Sequence, residues 1–441
     1  MSVAPALQAN ATLERYRTLF EERFTSGPLL EARRDALDAF LKRGFPTQRD
    51  EQWKYTSLRR LEARTFVLGE AAPVSLEPAR RPWITHGGGF RLVFVNGHWA
   101  PALSSPMAQP PGVTLVTLGE WVKHEPDAVL EYLAQASHRS ASALEQLNAA
   151  FFEDGLVIRL SPNARVDDPI HVVHVWTSTT RPAMAHPRVL VRAGHHSSCT
   201  LIEQYVCCGE PESFTNVVAI LDLEEGAQVQ HYRLQQESPK AFHIGHIDVC
   251  VRRDARYGIH DFSLGATLSR LNIRVRLQEP GAHTDLHGLL PPSGTQHLDT
   301  HTLIEHIAPH TTSTENYRGI ADGRGRGVFN GKVLVHPGAQ KTDAHQSSRN
   351  LLLSPTAEFN AKPELEIYAD DVKCSHGATI GQLDATALFY LRSRGISEAD
   401  ARVLLIHAFA HAVLASVETP AVREHLEALL AARFGSTQVT S

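Results

Sequence analysis

Val217-Val218-Ala219-Ile220-Leu221-Asp222-Leu223-Glu224-Glu225-Gly226-Ala227 is an aliphatic, β-branched run closed by a Gly-Ala pair, and the same phrase returns along the chain. Ile273–Leu277 leads to Gly281-Ala282 and Val333–Val335 to Gly338-Ala339, while Val189–Val191 precedes Gly194 and Ile247–Val251 precedes Ala255. From Gly194 the punctuation recurs after 32, 29 and 26 residues, and the 57 residues from Gly281 to Gly338 have room for two further units. A unit so short cannot bury its own apolar face, so strands stacked into one continuous core are the natural solution. Small corner residues let the backbone turn tightly. The expectation is a mainly β chain with a parallel β-helix, a solenoid, over residues 156–383. A β-sandwich with strands every 8–12 residues is the rival architecture that the same alternation permits.

On the N-terminal side the pattern is helical and mixed. Leu29–Lys42 places apolar residues at Leu30, Ala36, Leu37, Phe40 and Leu41, then stops at Gly44 with Pro46 just beyond. Arg91–Val95 followed by Asn96-Gly97 reads as strand and turn, and Ser140–Phe152 as a helix before Asp154-Gly155. Residues 1–155 are therefore expected to form a helical and mixed domain.

On the C-terminal side helical signals return, giving an expected helical domain over 384–441. Ser397 with Asp400 forms a capping box, and Thr419-Pro420 is an N-cap with proline at the first helical position. Two helices follow from these signals. The first, Ala399–Val417, is apolar on most of its faces (Leu404, Ile406, Phe409, Val413), so it packs on two sides or meets a partner.

Bulk composition excludes several classes. The 441 residues carry a formal net charge of −5, with no basic run to attract nucleic acid or a membrane surface. No stretch has the length and apolarity of a membrane span, and Met1–Arg15 lacks the pattern of a secretory signal, so the expected location is the cytoplasm. The five cysteines (Cys199, Cys207, Cys208, Cys250 and Cys374) include no C-x-x-C pair and suit reduced thiols. Gly331-Lys332 is followed by Val333 and has Arg326 five positions before Gly331, which fails the phosphate-loop pattern, and Gly323–Gly327 is no dinucleotide fingerprint. No nucleotide site is expected in this chain.

Two constellations remain. Histidines recur four apart at His283/His287, His297/His301, His306/His310 and His407/His411, a spacing that returns side chains to one face of a helix or a strand. The helical pair lacks a Glu in an H-E-x-x-H arrangement, and its apolar setting favours a structural role. The other is Cys374 with His376, a soft thiolate and an imidazole that share a face of an extended strand and suit iron or zinc. Two ligands do not complete a metal site, so the rest would have to come from elsewhere in the chain or from a partner. A nucleophilic Cys-His pair is the other chemistry these residue types allow.

Further residues carry a resemblance. Asp50-Glu51-Gln52-Trp53-Lys54-Tyr55-Thr56, Leu147–Phe151 with Asp154-Gly155, Gly327–Lys332, Thr342–Ala344, Asn350–Ser354, Pro363–Ile367, Asp370–Thr379 and Leu388–Gly395 resemble, in order and spacing, the SufB/SufD family of iron–sulfur cluster assembly scaffolds, on its SufD side. That resemblance implies a right-handed parallel β-helix between an N-terminal domain and a C-terminal helical domain. It implies a non-catalytic scaffold that pairs with a SufB-like paralogue and docks the ABC ATPase SufC on its C-terminal helices, through Leu404, Phe409 and Val413. It also puts Cys374 and His376 at the paired interface, where a transient cluster or its iron is shared with SufB. A homodimer in isolation and a reduced flavin in the complex are further expectations. The competing expectation is an autonomous metal-dependent enzyme using His283, His287, His297 and His301 on a histidine-rich solenoid face.

Overall fold

The computed structural model describes residues 3–72, 81–85, 88–105, 109, 111–139 and 142–435. Two sheets enclose one interior. The first runs from Gly155–Leu160 through Arg188–Ala193, Ser213–Leu223, Phe242–Val251, Leu268–Leu277, His297–His306 and Arg326–Val335 to Glu358–Ile367. The second runs from Phe90–Val95 through Ile170–Trp176, Ser198–Cys207, Gln228–Gln235, Arg256–Ser263, His283–Leu290, Thr312–Ala321 and Asp343–Leu352 to Lys373–Gly381. From Ser213 onward each strand pairs in parallel with the strand two elements later, so the chain crosses between the sheets and advances one rung per circuit. The result is a β-solenoid of about eight turns. A sandwich of antiparallel sheets is thereby excluded.

Register explains the core. Leu221, Val249, Val275, Ile304, Val333 and Leu365 are successive partners across the first sheet, one aliphatic column inside the solenoid. Each such side chain, once fully buried, contributes about 1.5–3 kcal/mol. At the corners the backbone is left-handed at His196, Gly226, Asp254, Gly281, His310 and Lys341, with φ from 52 to 77°. These residues donate their amides to the corner of the following turn, as from Gly226 to Arg253 O and from His310 to Gln340 O. Gly226 and Gly281 match the expected punctuation; at the turns marked by Gly194 and Gly338, His196 and Lys341 take the left-handed position. A Cβ at Gly281 would collide with Asp254, the corner residue one turn earlier.

Both sheets begin with an antiparallel strand. Val113–Thr117 lies antiparallel on Gly155–Leu160, and His98–Trp99 folds back on Phe90–Val95 through Asn96 (φ 49°) and Gly97 (φ 92°), a hairpin turn with both central residues left-handed. Helices Val3–Arg23, Leu30–Arg43 and Ala143–Phe151 build an aromatic cluster on the outer face of the first sheet, against Phe214, Phe242, Ile244 and Leu268. The helix expected over 140–152 is observed as Ala143–Phe151, capped by the Ser142 hydroxyl; residues 140 and 141 lie outside the described residues. The Gln52–Thr56 stretch is pinned to the solenoid by Arg270, which lies 3.9 Å from the Trp53 ring centroid and donates to Gln52 O (2.7 Å) and Asp299 Oδ2 (2.9 Å).

Three helices follow the last strand: Ala385–Ser393, Glu398–Leu414 and Pro420–Phe434. Ser397 and Thr419 are N-caps as expected, with Ser397 Oγ accepting from Asp400 N, whereas Ala385–Ser393 carried no signal that the sequence reading used. Glu398–Leu414 has apolar residues on most faces because it lies between two neighbours. Ile406, Ala410 and Val413 join Tyr232, Phe262 and Leu289 of the second sheet, and Leu426 and Leu430 of the final helix complete the cluster. No helix among the described residues is long and apolar enough to cross a membrane.

Because Asp299 and Arg270 are both buried, removing the cation strands a carboxylate under the N-terminal segment. Arg270→Met is expected to lower unfolding free energy by about 3–5 kcal/mol, read from the urea midpoint; an unmoved midpoint would refute this account of the attachment.

Candidate functional site

Histidines are abundant, and the structure accounts for most of the spaced pairs without a metal. His283 and His287 are on the second sheet, whereas His297 and His301 are on the first, so the four cannot form one centre. His283 Nδ1 lies 2.6 Å from Thr312 Oγ1, and His287 stacks on His260 with centroids 4.8 Å apart. His297 Nε2 meets Thr56 Oγ1 at 2.7 Å, and His301 Nε2 lies 3.0 Å from Asp299 Oδ1. His306 is buried inside the solenoid between Thr311 and Ser313, His310 turns a corner, and His407 reaches Gly435 O at 2.8 Å. Among the described residues no three His, Cys, Asp or Glu side chains are placed to hold a metal ion. The expectation that His283, His287, His297 and His301 form one ligand set is therefore corrected: the four-residue spacing is real, but alternate strands feed opposite sheets.

Beside its aliphatic positions, the inner face of the second sheet carries a file of polar residues. Arg233 lies between Glu203 and Asp261 in register and donates to Asp261 Oδ1 at 2.7 Å. It also meets His243 Nε2, while His243 Nδ1 lies 2.6 Å from Glu237 Oε2. An acceptor at Nε2 and a donor at Nδ1 define a neutral imidazole, consistent with burial holding the His243 pKa down. His231 Nε2 lies 2.7 Å from Glu203 Oε2. Farther along, Glu315 accepts from Gln346; burial pushes its carboxyl from 4.5 up to about 7, and that bond and the neighbouring Thr302 restrain the rise.

This polar file ends at the open end of the solenoid. Glu358–Ile367 and Lys373–Gly381 are the last strands of the two sheets, and neither has a strand on its outer side among the described residues. Cys374 packs against the interior cluster in register with Ala344, and His376, two residues on and hence on the same face, is in register with Gln346. Burial raises the Cys374 thiol's pKa, with the Asp343 charge adding to it. Such a thiol is poorly activated as a nucleophile but becomes a thiolate when a metal binds it. His376 is exposed, as are Ile367, Tyr368 and Ile380 on or beside the two terminal strands, and Phe389 and Tyr390 of the helix that follows them.

Residues 175–409 match the family model described as SUF system FeS cluster assembly, SufBD core domain, and residues 12–172 match the SufBD protein N-terminal region. The chain belongs to the SufB/SufD family. An iron–sulfur cluster assembly SufBD family protein of Synechocystis is 35% identical over 95% of this chain and 94% of its own length. The iron–sulfur cluster assembly protein SufD of Escherichia coli is 31% identical over 90% and 91%. The chloroplastic protein ABCI7 of Arabidopsis thaliana is 28% identical over 92% and 87%. SufB/SufD membership gives this chain a role in iron–sulfur cluster assembly.

The C-terminal helices carry the residues that the SufB/SufD resemblance implies for docking a partner. There Leu404 and Phe409 are half-buried, and Phe409 carries Arg318 over its ring at 4.6 Å. Val413 is fully buried against the solenoid, so its side chain is core rather than contact surface, because the face that carries it is the one turned to the second sheet. Sequence reasoning missed Glu315 and Gln346, whose polar character concealed that they face inward.

Glu315 binds its proton more tightly folded than unfolded, so its contribution to stability is full below about pH 4.5 and lost as pH rises through 7. Glu315→Gln cannot ionise. Its stability relative to the native chain should therefore rise between pH 5 and pH 8, by on the order of 3 kcal/mol at most, followed by urea unfolding at both pH values; a pH-independent difference would contradict the burial account.

Proposed function

We propose that the chain is a scaffold subunit of a cytoplasmic SUF assembly complex, pairing through the open end of its solenoid with a SufB-like paralogue. Cys374 and His376 supply part of the ligand set for the nascent cluster or its iron, which is cargo rather than a resident cofactor. One observation carries this reading. The terminal turn combines two unpaired sheet edges, exposed apolar side chains, and a thiol and an imidazole on the same inward face of the edge strand.

Physical chemistry supports sharing. An unpaired parallel edge is a template for another chain's strand, and a two-ligand half-site gains further affinity when a second surface closes on it. Ligands divided between two subunits make cluster affinity depend on the interface, so a motor that rearranges the pair can load or release the cluster. That motor is a SufC-like ABC ATPase docked on the C-terminal helices through surface that includes Leu404 and the rim of Phe409, while Val413 holds the helix in place from beneath. The chain itself works without a nucleotide and without catalysis. In isolation a second copy can cover the same edge as a homodimer, and a reduced flavin, where present, belongs to the complex.

Two measurements test the proposal. Affinity purification of the native complex is expected to retain a SufB-like and an ABC ATPase subunit, and recovery of the chain without either would sink the scaffold reading. In the second, Cys374→Ala combined with His376→Ala should leave the complex assembled while cluster maturation in cells falls; loss of assembly instead would make the two residues structural.

A further inference from the structure

Glu315, Gln346 and His376 occupy one position on three successive turns of the second sheet, each the register partner of the next. Parallel strands lie about 4.8 Å apart, so each side chain is within reach of its neighbour. The first two are sealed inside the solenoid; the third stands at the open end. This arrangement deepens the reading of His376 as a ligand and rests on it.

The amide of Gln346 has its direction imposed. Glu315 Oε2 accepts from Gln346 Nε2, which turns the amide NH2 inward. Gly331, across the interior on the first sheet, leaves the space that Nε2 fills; a Cβ there would collide with it. The amide oxygen Oε1 is then directed away from Glu315, and it is buried with no hydrogen-bond donor. A buried acceptor without a donor is costly to keep. The next inward side chain on its ladder is His376.

Histidines that bind metals through one ring nitrogen ordinarily donate the N–H of the other to a carbonyl or carboxylate, which fixes tautomer and ring orientation. We propose that Gln346, oriented by Glu315, is the positioning residue for His376. Its Oε1 accepts the ring N–H when the imidazole turns inward, leaving the other nitrogen bare beside Cys374 to face an incoming metal ion. Gln346 touches neither iron nor sulfide; it acts through His376.

Cobalt(II) titration of the full-length chain, followed by the thiolate-to-cobalt absorption that Cys374→Ala abolishes, isolates this site. Gln346→Met keeps the side-chain volume and removes the acceptor. It is expected to weaken cobalt binding by about 10-fold, approaching the affinity of His376→Ala, with the thiolate band retained and a cooperative thermal unfolding transition still present. Wild-type affinity in Gln346→Met alongside weakened binding in His376→Ala would overturn the positioning role and leave the ligand reading intact. Wild-type affinity in His376→Ala would overturn the ligand reading itself, and the proposal with it. Should Gln346→Met fail to fold, Glu315→Gln, which frees the amide to turn over, must weaken binding in the same direction; unchanged affinity there is equally fatal.

Discussion

In a parallel solenoid each inward side chain is stacked between the residue one turn behind and the residue one turn ahead, and that fixed neighbour relation governs everything else here. Aliphatic residues can repeat indefinitely under it, as from Leu221 to Leu365 on the first sheet. A buried charge cannot, because in a low dielectric an unanswered neighbour is expensive. Arg233 is tolerated because its rung partners are both carboxylates, Glu203 behind and Asp261 ahead. The column therefore reads acid, base, acid, and no single member can be exchanged without stranding another.

The same rule explains what was legible in the sequence. Every run used to infer the solenoid, from Val189–Val191 to Val333–Val335, belongs to the first sheet, whose inward positions along those runs are aliphatic. The matching strands of the second sheet passed unnoticed because Glu203, Arg233, Asp261, Glu315 and Gln346 face inward there, and polar residues on a strand ordinarily signal solvent. The repeat length came through nonetheless, since the corners are fixed by backbone geometry. Even there glycine was an imperfect guide: His196, Asp254, His310 and Lys341 hold left-handed φ values that glycine would have advertised.

For the site, spacing showed that Cys374 and His376 share a face but not that this face lies at the end of a packed interior carrying a file of polar groups. Nor could spacing separate His283 and His287 from His297 and His301, because alternate strands are sent to opposite walls. Helix Glu398–Leu414 shows the reverse case: its excess of apolar positions was plain in the sequence, whereas only packing shows that Ile406 and Val413 spend it on the solenoid beneath.

The antiparallel strands at Val113–Thr117 and His98–Trp99 give the solenoid a polarity of assembly. A stack of parallel rungs with two open faces could add copies head to tail without limit, as amyloid does. Here one terminus ends in strands that run antiparallel to the rungs and the other in bare parallel strands, so head-to-tail addition meets a mismatched edge and the matched encounter is parallel end to parallel end. Such an encounter uses up both free edges at once and stops at two bodies, which makes the antiparallel start, far from the ligands, the element that keeps a sticky edge from becoming a fibre.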